Sequence, residues 1–208
     1  NMMIAIPCAA GFIALAGPLL DLLYFTQDNA IPALMLRIGG ISVVFFCLST
    51  VTNAALQGLD EMGKPVKNAA ISLVIHGAAL FIMLVVFKWG IYSIPVSKII
   101  FAASICILNA HDLRETCGYV QEQKQTFVIP AIAAVIMSIV SLLLHLLGVL
   151  FIGEMPATVL AVIAAVAVYG ISLVGLGGIT EEELLAAPKG ATLATVCRKL
   201  HLIRGRYR

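Results

Sequence analysis

The stretch AALQGLDEMGKPVKN, residues 54–68, decides how the chain folds. It is short and charged, it is punctuated by glycine and proline, and a long apolar run stands on each side of it. The run before it reaches back to about Met35, and the run after it reaches on to about Phe87. Because roughly 20 apolar residues rising ~1.5 Å each cross the ~30 Å hydrocarbon core of a bilayer, each run can span a membrane. The stretch therefore predicts a transmembrane helical hairpin with its turn in water at one membrane face.

The composition places the whole chain in the same class. Of its 208 residues, 61% are hydrophobic and 12% are charged, whereas soluble domains are about 45–50% apolar and about 25% charged. A core of this size could not hide so much apolar surface from water, so we predict an all-α polytopic membrane protein with the bilayer as its solvent. None of the five cysteines forms a C-x-x-C pair or stands at zinc-ligand spacing from a histidine. No metal site, disulfide framework or cofactor is therefore expected.

The apolar pattern predicts a bundle of six transmembrane helices, here named a to f. Their predicted bounds are Met2–Phe25, Ala33–Gln57, Asn68–Phe87, Pro95–Ala110, Phe127–Ile152 and Pro156–Leu176. Helix d is predicted to be shorter and weaker than the others. Residues 1–178 are expected to form one six-helix lobe, and residues 179–208 a tail. Because the chain begins inside an apolar run with no signal-peptide pattern, upstream sequence is expected to be missing.

The basic residues predict the orientation, because Lys and Arg in short loops stay on the cytoplasmic side. The tail is rich in both, so we predict a cytoplasmic C-terminus, with the b–c and d–e loops on the same side. Only Lys88 and Lys98 break this pattern, and each is expected to snorkel to the headgroups. In the tail, Leu193, Val196 and Leu200 have helical spacing among basic residues. They favour an amphipathic helix lying on the inner leaflet, the alternative being an unstructured basic tail.

Asp21 and Arg37 are ionisable residues inside predicted helices, where such a residue costs about 2.5–3.5 kcal/mol on insertion scales. Asp21 of helix a and Arg37 of helix b are both about one turn inside the same membrane face. One interpretation is an ion pair that clamps the two helices, or simple snorkelling. The other is that Arg37 faces a cavity and attracts an anionic headgroup such as a phosphate.

Helices b and c each carry a stripe of polar residues at helical spacing. The stripes are Ser42, Ser49, Asn53 and Gln57 on helix b, and Asn68, Ser72 and His76 on helix c. Since b and c form the hairpin, the two stripes are predicted to face one another. They are interpreted either as interhelical hydrogen bonds or as the wet wall of an inward-opening cleft. Helix e has a weaker stripe of Ser138, Ser141 and His145.

Helix a contains prolines at positions where a helix would have to bend. Pro7 and Pro18 each lack an N–H group and crowd the carbonyl one turn back. They are candidate hinges for a transporter that rocks between two states, or static kinks that serve packing.

Four segments together resemble the polysaccharide-type exporters of the multidrug/oligosaccharidyl-lipid/polysaccharide superfamily. IPCAAGFIALAGP, residues 6–18, resembles the P-x-x-x-G-x-x-x-L-A-x-P helix of that family. LQG at 56–58 with GKP at 63–65 and Asn68 is similar to its L-Q-G-x-G-K-x-x-x-P-x-x-N hairpin. The join between helices d and e is also similar, through Asn109, Leu113, Arg114 and TFVIP at 126–130, and APKG at 187–190 resembles the family's P-K-G signature. The stage V sporulation protein B-like branch is the best match.

The resemblance implies the C-terminal lobe of a MATE-like transporter fold, without the N-terminal lobe that completes the central cavity. It implies a flippase, not an enzyme, that moves undecaprenyl-diphosphate-linked sugars across the cytoplasmic membrane by alternating access, in cell-wall, spore-cortex or polysaccharide synthesis. The expected partners are that lipid-linked sugar, the phospholipid bilayer and the missing N-terminal lobe, with no nucleic acid. Because the family's cavity cations lie largely in the missing part, the resemblance assigns no substrate-binding residue here.

Two alternatives stay open. A drug or cation antiporter of the same superfamily would need acidic residues in its cavity, and only Asp21 is intramembrane. A membrane-embedded transferase acting on lipid carriers would need a His/Asp or metal-bound diphosphate site at the membrane face. The loop candidates for such a site are His111 and Asp112, which are adjacent and so are not expected to face each other on a helix.

Overall fold

A computed structural model describes residues 1–24, 28–118 and 124–178, and this part of the chain is helical with no strand. The helices are α1 Met2–Ala14, α2 Ala16–Leu23, α3 Ala30–Gly58, α4 Gly63–Val85, α5 Ser93–Cys117, α6 Ile129–Ile152 and α7 Glu154–Gly175. Each of α3 to α7 is long and apolar enough to cross a bilayer, and α1 with α2 makes a sixth candidate if the bent pair is one span. This is the architecture of a polytopic helical membrane protein. Predicted helices b to f correspond to α3 to α7, whereas the predicted tail lies outside the described residues.

The hairpin predicted from residues 54–68 is confirmed as the α3–α4 turn. Asp60 takes the left-handed conformation with φ 64°, and the Glu61 N–H donates to the Leu56 carbonyl at 3.0 Å. This bond reaches back over six residues in the manner of a Schellman motif, which satisfies a carbonyl that the end of the helix would otherwise leave free. The chain can then reverse over four residues and enter α4 at Gly63.

Predicted helix a is not a straight rod, because α1 and α2 meet at a bend of 81°. Pro18 has no N–H to donate to the Ala14 carbonyl, and its ring crowds that oxygen. The first helix accordingly ends at Ala14, and Leu15 separates it from α2. Pro7 lies inside α1 without ending it. Pro18 therefore marks the break, and a hinge motion at either proline stays a prediction.

The prediction that helix d is short is wrong, since α5 runs over 25 residues from Ser93 to Cys117. Residues from His111 onward include several charged side chains, and the apolar pattern alone predicts a loop there. The buried Leu113, 3% exposed, continues the apolar face through this segment and holds it in the helix. The helix ends at Gly118, whose φ of 66° is the left-handed conformation that glycine adopts at low cost.

The described residues divide into two compact units, the first within residues 1–118 and the second within residues 124–178. In the first unit, α3 and α4 each pack against α5, and α1 packs against α3. The contact between α1 and α3 depends on Gly40, because a Cβ there would lie 3.3 Å from the Ala9 carbonyl oxygen. Small residues at such positions let helix backbones approach closely in a membrane.

The second unit is built on the hairpin of α6 and α7. Its turn is Gly153, whose φ is 84°. The two helices meet at Gly148, where a Cβ would lie 3.0 Å from the Ala157 Cβ. Before α6, residues Lys124–Val128 form a π-helical turn. We attribute this turn to Pro130, because it has no N–H to bond the carbonyl four residues back.

Substitution of Gly40 tests the close approach of α1 to α3. We expect Gly40→Leu to lower the apparent melting temperature in detergent, since overpacking of a tight contact costs about 1–3 kcal/mol. Gly39→Leu is the matched control, because a Cβ at that neighbouring position has no heavy atom within 4 Å. Equal melting temperatures for the two variants would contradict the proposed packing.

Candidate functional site

Five polar side chains from three membrane-length helices meet in one hydrogen-bonded group, which we call the amide cluster. Its members are Thr52 and Asn53 of α3, Asn68 of α4, and Asn109 and Asp112 of α5. Thr52, Asn68 and Asn109 are buried, and Asn109 has no exposed surface. The cluster is therefore an internal feature of the first unit.

Asn109 is the centre of the cluster. Its Nδ2 donates to Thr52 Oγ1 at 3.0 Å and to Asn53 Oδ1 at 2.7 Å. Asn68 Nδ2 donates in turn to Asn109 Oδ1 at 3.0 Å and to Asp112 Oδ2 at 2.6 Å. An unbonded amide costs several kcal/mol in hydrocarbon, so these bonds require α3, α4 and α5 to meet here.

This geometry corrects the prediction that the stripes of helices b and c face one another. Thr52 and Asn53 on α3 bond to α5, and Asn68 on α4 also bonds to α5. The fifth helix thus supplies the common partner. Asn109 was not predicted as this partner, because in the sequence it stands out only as part of the resemblance. One feature of the sequence could have indicated its role. Asn109 lies four residues from both Ile105 and Leu113, two apolar residues that are buried, and so it lies on the same buried face of the helix.

The other members of the predicted stripes have different surroundings. Ser49 is buried, and its Oγ donates to the Phe46 carbonyl at 2.8 Å. Ser72 is fully buried, and its Oγ bonds to no residue that the structure describes. Gln57 is exposed at the end of α3. The stripe of helix b therefore runs from a buried serine to an exposed amide.

His76 lies two turns beyond Asn68 and is half-buried against α5. Its Nδ1 is 3.0 Å from the Ser97 carbonyl oxygen, and its ring centroid is 5.6 Å from that of Phe101. Because a carbonyl oxygen only accepts, Nδ1 carries the hydrogen in this contact. His76 thus serves as a further polar link between α4 and α5.

The predicted ion pair between Asp21 and Arg37 is not formed. Asp21 Oδ1 instead accepts a hydrogen bond of 2.7 Å from Asn29 Nδ2. The ion pairs in the described residues are Lys64 with Glu61 and His111 with Glu115. Both Asp21 and Arg37 are exposed. Asn29 intervenes because it precedes α3 directly and can reach back to α2.

A second polar group lies on the surface near the end of α5. The ligand atoms of His111, Asp112 and Glu115 lie within 4.8 Å of one another, so the expectation that adjacent His111 and Asp112 would not face each other is wrong. Imidazole and carboxylate are common metal-ligand types. Here Asp112 already accepts from Asn68, and His111 Nε2 is 3.7 Å from Glu115 Oε1. These contacts account for the grouping without an ion.

Lys64 joins the α3–α4 turn to the end of α5. Its Nζ donates to Thr116 Oγ1 at 2.9 Å and lies 3.1 Å from Glu61 Oε1. The turn and the carboxyl end of α5 therefore lie at the same end of the first unit, next to the amide cluster. The exposed Gln57 lies at this end as well.

The second unit has a smaller polar contact of its own. His145 Nδ1 of α6 is 3.4 Å from Thr158 Oγ1 of α7, and both residues are buried. Thr158 Oγ1 also donates to the Glu154 carbonyl at 2.8 Å, so His145 is the donor in the first contact. Ser141, of the predicted stripe on helix e, is fully buried on the same helix.

The amide cluster offers hydrogen-bond donors and acceptors but no side chain placed to act as a nucleophile beside a base. The cluster can therefore hold the three helices together, and it presents polar groups along one edge of α3. Comparison of the chain with protein-family models, with curated proteins and with solved structures finds no match.

A double-mutant cycle tests the bond between Asn68 and Asn109. We expect each single change to Ala to cost about 1–3 kcal/mol, because it leaves buried polar groups unsatisfied. We expect the pair to be coupled by about 0.6–1.7 kcal/mol, the range measured for interhelical bonds in membranes. Unfolding of the purified protein in mixed micelles measures both quantities.

The control for this cycle is Gln57→Ala, which removes an exposed amide that bonds to no described residue and should change stability little. Strictly additive effects of the Asn68 and Asn109 substitutions would show that the two amides do not interact.

Proposed function

We propose that the chain is part of a flippase that moves a lipid-linked oligosaccharide across the cytoplasmic membrane. In this proposal the carrier is a polyprenyl diphosphate such as undecaprenyl diphosphate, and alternating access moves its headgroup between leaflets. The resemblance to polysaccharide-type exporters supports the substrate class. The polytopic helical architecture and the bend beside Pro18 are what such a transporter requires.

The observation that carries the proposal is that residues from two of the four resembling segments, the hairpin and the join between helices d and e, are buried in the same part of the first unit. Leu56 and Asn109 are fully buried, Leu113 is 3% exposed and Asn68 is 4% exposed. Pro65 is buried as well. These positions come from segments far apart in the sequence, yet they lie in or beside the amide cluster. An inherited packing motif would bring these residues together in this way.

One edge of α3 is suited to a sugar headgroup. Asn53 is half-buried and Gln57 is exposed, and Thr50, on the same face, is exposed too. Thr50 Oγ1 donates to the Phe46 carbonyl and Asn53 Oδ1 accepts from Asn109, so of these three side chains Gln57 is the one that bonds to no described residue. In the proposed mechanism these groups border the wet path, and the sugar hydroxyls exchange bonds to water for bonds to them.

The acidic residues give less support to a drug or cation antiporter. Asp21 is the acidic residue that was predicted to lie within the membrane. It is exposed on α2, and it accepts a hydrogen bond from the Asn29 side chain. Asp112 accepts from Asn68. Both carboxylates therefore already accept a hydrogen bond from an asparagine side chain, and the proposed mechanism gives neither of them a substrate cation.

A transport assay on Gln57 separates a path residue from a packing residue. We expect Gln57→Leu to slow flipping of a fluorescent polyprenyl-diphosphate sugar severalfold without lowering the melting temperature, because Gln57 is exposed and makes no bond to a described residue. The assay uses proteoliposomes of the protein as the cell makes it, with any sequence that flanks residues 1–208. Val51→Leu, an exposed apolar change in the same helix, is the control. Wild-type transport no faster than that of empty vesicles would overturn the proposed function.

Cysteine labelling tests the proposed orientation. In a variant without native cysteines, Met62→Cys and Glu115→Cys should react from one side of the membrane and Ile91→Cys from the other. The reason is that Lys64 ties the α3–α4 turn to the end of α5, whereas Ile91 follows α4 at its opposite end. The basic tail predicts that the first side is the cytoplasm. Labelling of Met62→Cys from outside intact cells would contradict that orientation.

A further inference from the structure

Arg37 is an unpaired cation in a membrane-length helix. It is the eighth residue of the 29-residue helix α3, and its side chain is exposed. Leucine and isoleucine stand on either side of it in the sequence. No ion pair or hydrogen bond joins its guanidinium to another residue that the structure describes. A charge at this position costs free energy unless an anion other than the described residues neutralises it.

The acids at this end of α3 are already engaged. Asp21 Oδ1 accepts from Asn29 at 2.7 Å, and Asp28 Oδ1 accepts from the Ala30 N–H at 3.2 Å. Both bonds involve residues at the start of α3, where the positive end of the helix dipole favours a carboxylate. The nearest acids in sequence therefore have their own role in starting the helix, and Arg37 is left for an anion of another kind.

The packing of α3 on α5 gives the depth of Arg37. The rings of Phe46 and Phe101 are 6.1 Å apart, Asn109 bonds to Thr52, and the Cys106 thiol bonds to the Phe45 carbonyl. The two helices therefore run in the same direction, with an offset of 55 to 61 residues between the positions that meet. Carrying that offset back along α3 places Arg37 level with the first turns of α5. The residues just before α5 include Trp89 and Tyr92, and such aromatic residues gather at the headgroup level of a membrane.

A second cation lies at this depth. Lys98, in the second turn of α5, is exposed and likewise has no partner among the described residues. Two unpaired cations at the headgroup level suit a phosphate. A guanidinium binds phosphate through two parallel N–H donors, and an ammonium adds a point charge.

We propose that Arg37, assisted by Lys98, binds the phosphate of a lipid headgroup with net negative charge, at the end of the first unit opposite the α3–α4 turn. The same chemistry fits an anionic phospholipid and a polyprenyl diphosphate. The inference does not rest on the proposed function, because binding of a phospholipid here needs no transport.

Native mass spectrometry of the purified protein tests this site. The protein is released from detergent and titrated in parallel with phosphatidylglycerol, phosphatidylcholine and undecaprenyl diphosphate. We expect phosphatidylglycerol to bind more tightly than phosphatidylcholine, and Arg37→Gln to weaken its binding about tenfold or more, because charge-assisted hydrogen bonds are lost. Arg37→Lys should retain part of the affinity, and Lys98→Gln should have a smaller effect than Arg37→Gln.

The matched control is Lys67→Gln, an exposed cation of α4 at the other end of the unit, which should leave the binding unchanged.

Tighter binding of undecaprenyl diphosphate than of phosphatidylglycerol would identify the substrate carrier as the ligand, and the reverse would identify a bilayer lipid. Equal affinities for phosphatidylglycerol and phosphatidylcholine, or equal losses in Arg37→Gln and Lys67→Gln, would overturn the site. If Arg37→Gln does not fold, Arg37→Lys and Lys98→Gln decide the question in the same titration. Arg37-dependent binding without flipping would reject the proposed function and leave this site standing.

Discussion

An amide group in hydrocarbon must find a hydrogen-bond partner within the protein, and Asn109 shows what this requirement does to the fold. It has no exposed surface, and it donates to Thr52 and Asn53 and accepts from Asn68. Apolar packing alone distinguishes poorly between helix arrangements in a bilayer, because lipid tails are as apolar as leucine. The amide bonds have geometry and direction, so they select one arrangement of α3, α4 and α5.

The need for hydrogen-bond partners divides the polar residues of the first unit into two groups. One group bonds within the protein and holds the helices together, and the other bonds to no described residue. Asn68, Asn109 and Thr52 bond to one another inside the protein, so they are packing residues even where they match the family-like motif. Gln57 and Arg37 are exposed and bond to no described residue. A polar side chain without a protein partner is where a substrate or a lipid headgroup can bind, so the lipid site rests on Arg37 and the transport test of the proposed function on Gln57.

Close backbone approach is the second constraint on the first unit. Gly40 lets α1 lie against α3, and the bend at Leu15 turns α2 away from the axis of α1. Asn29 then bonds Asp21 and so ties the end of α2 to the start of α3. The bend and this tie explain why Asp21 and Arg37, which share a membrane face in the sequence, do not form a pair.

The amino-acid sequence by itself determined the class of the protein, its membrane-length helices and the α3–α4 hairpin, because apolar run length and turn residues are local properties. It also identified Asn53, Asn68 and His76 as polar residues on helix faces. Only the tertiary structure decided that these side chains turn toward α5 and not toward each other, since which helices become neighbours depends on bonds between distant residues. The length of α5 depends on the burial of Leu113, which holds its last turns in the helix. The partner of Asp21 depends on the position of Asn29, which bonds to it across the α2–α3 connection.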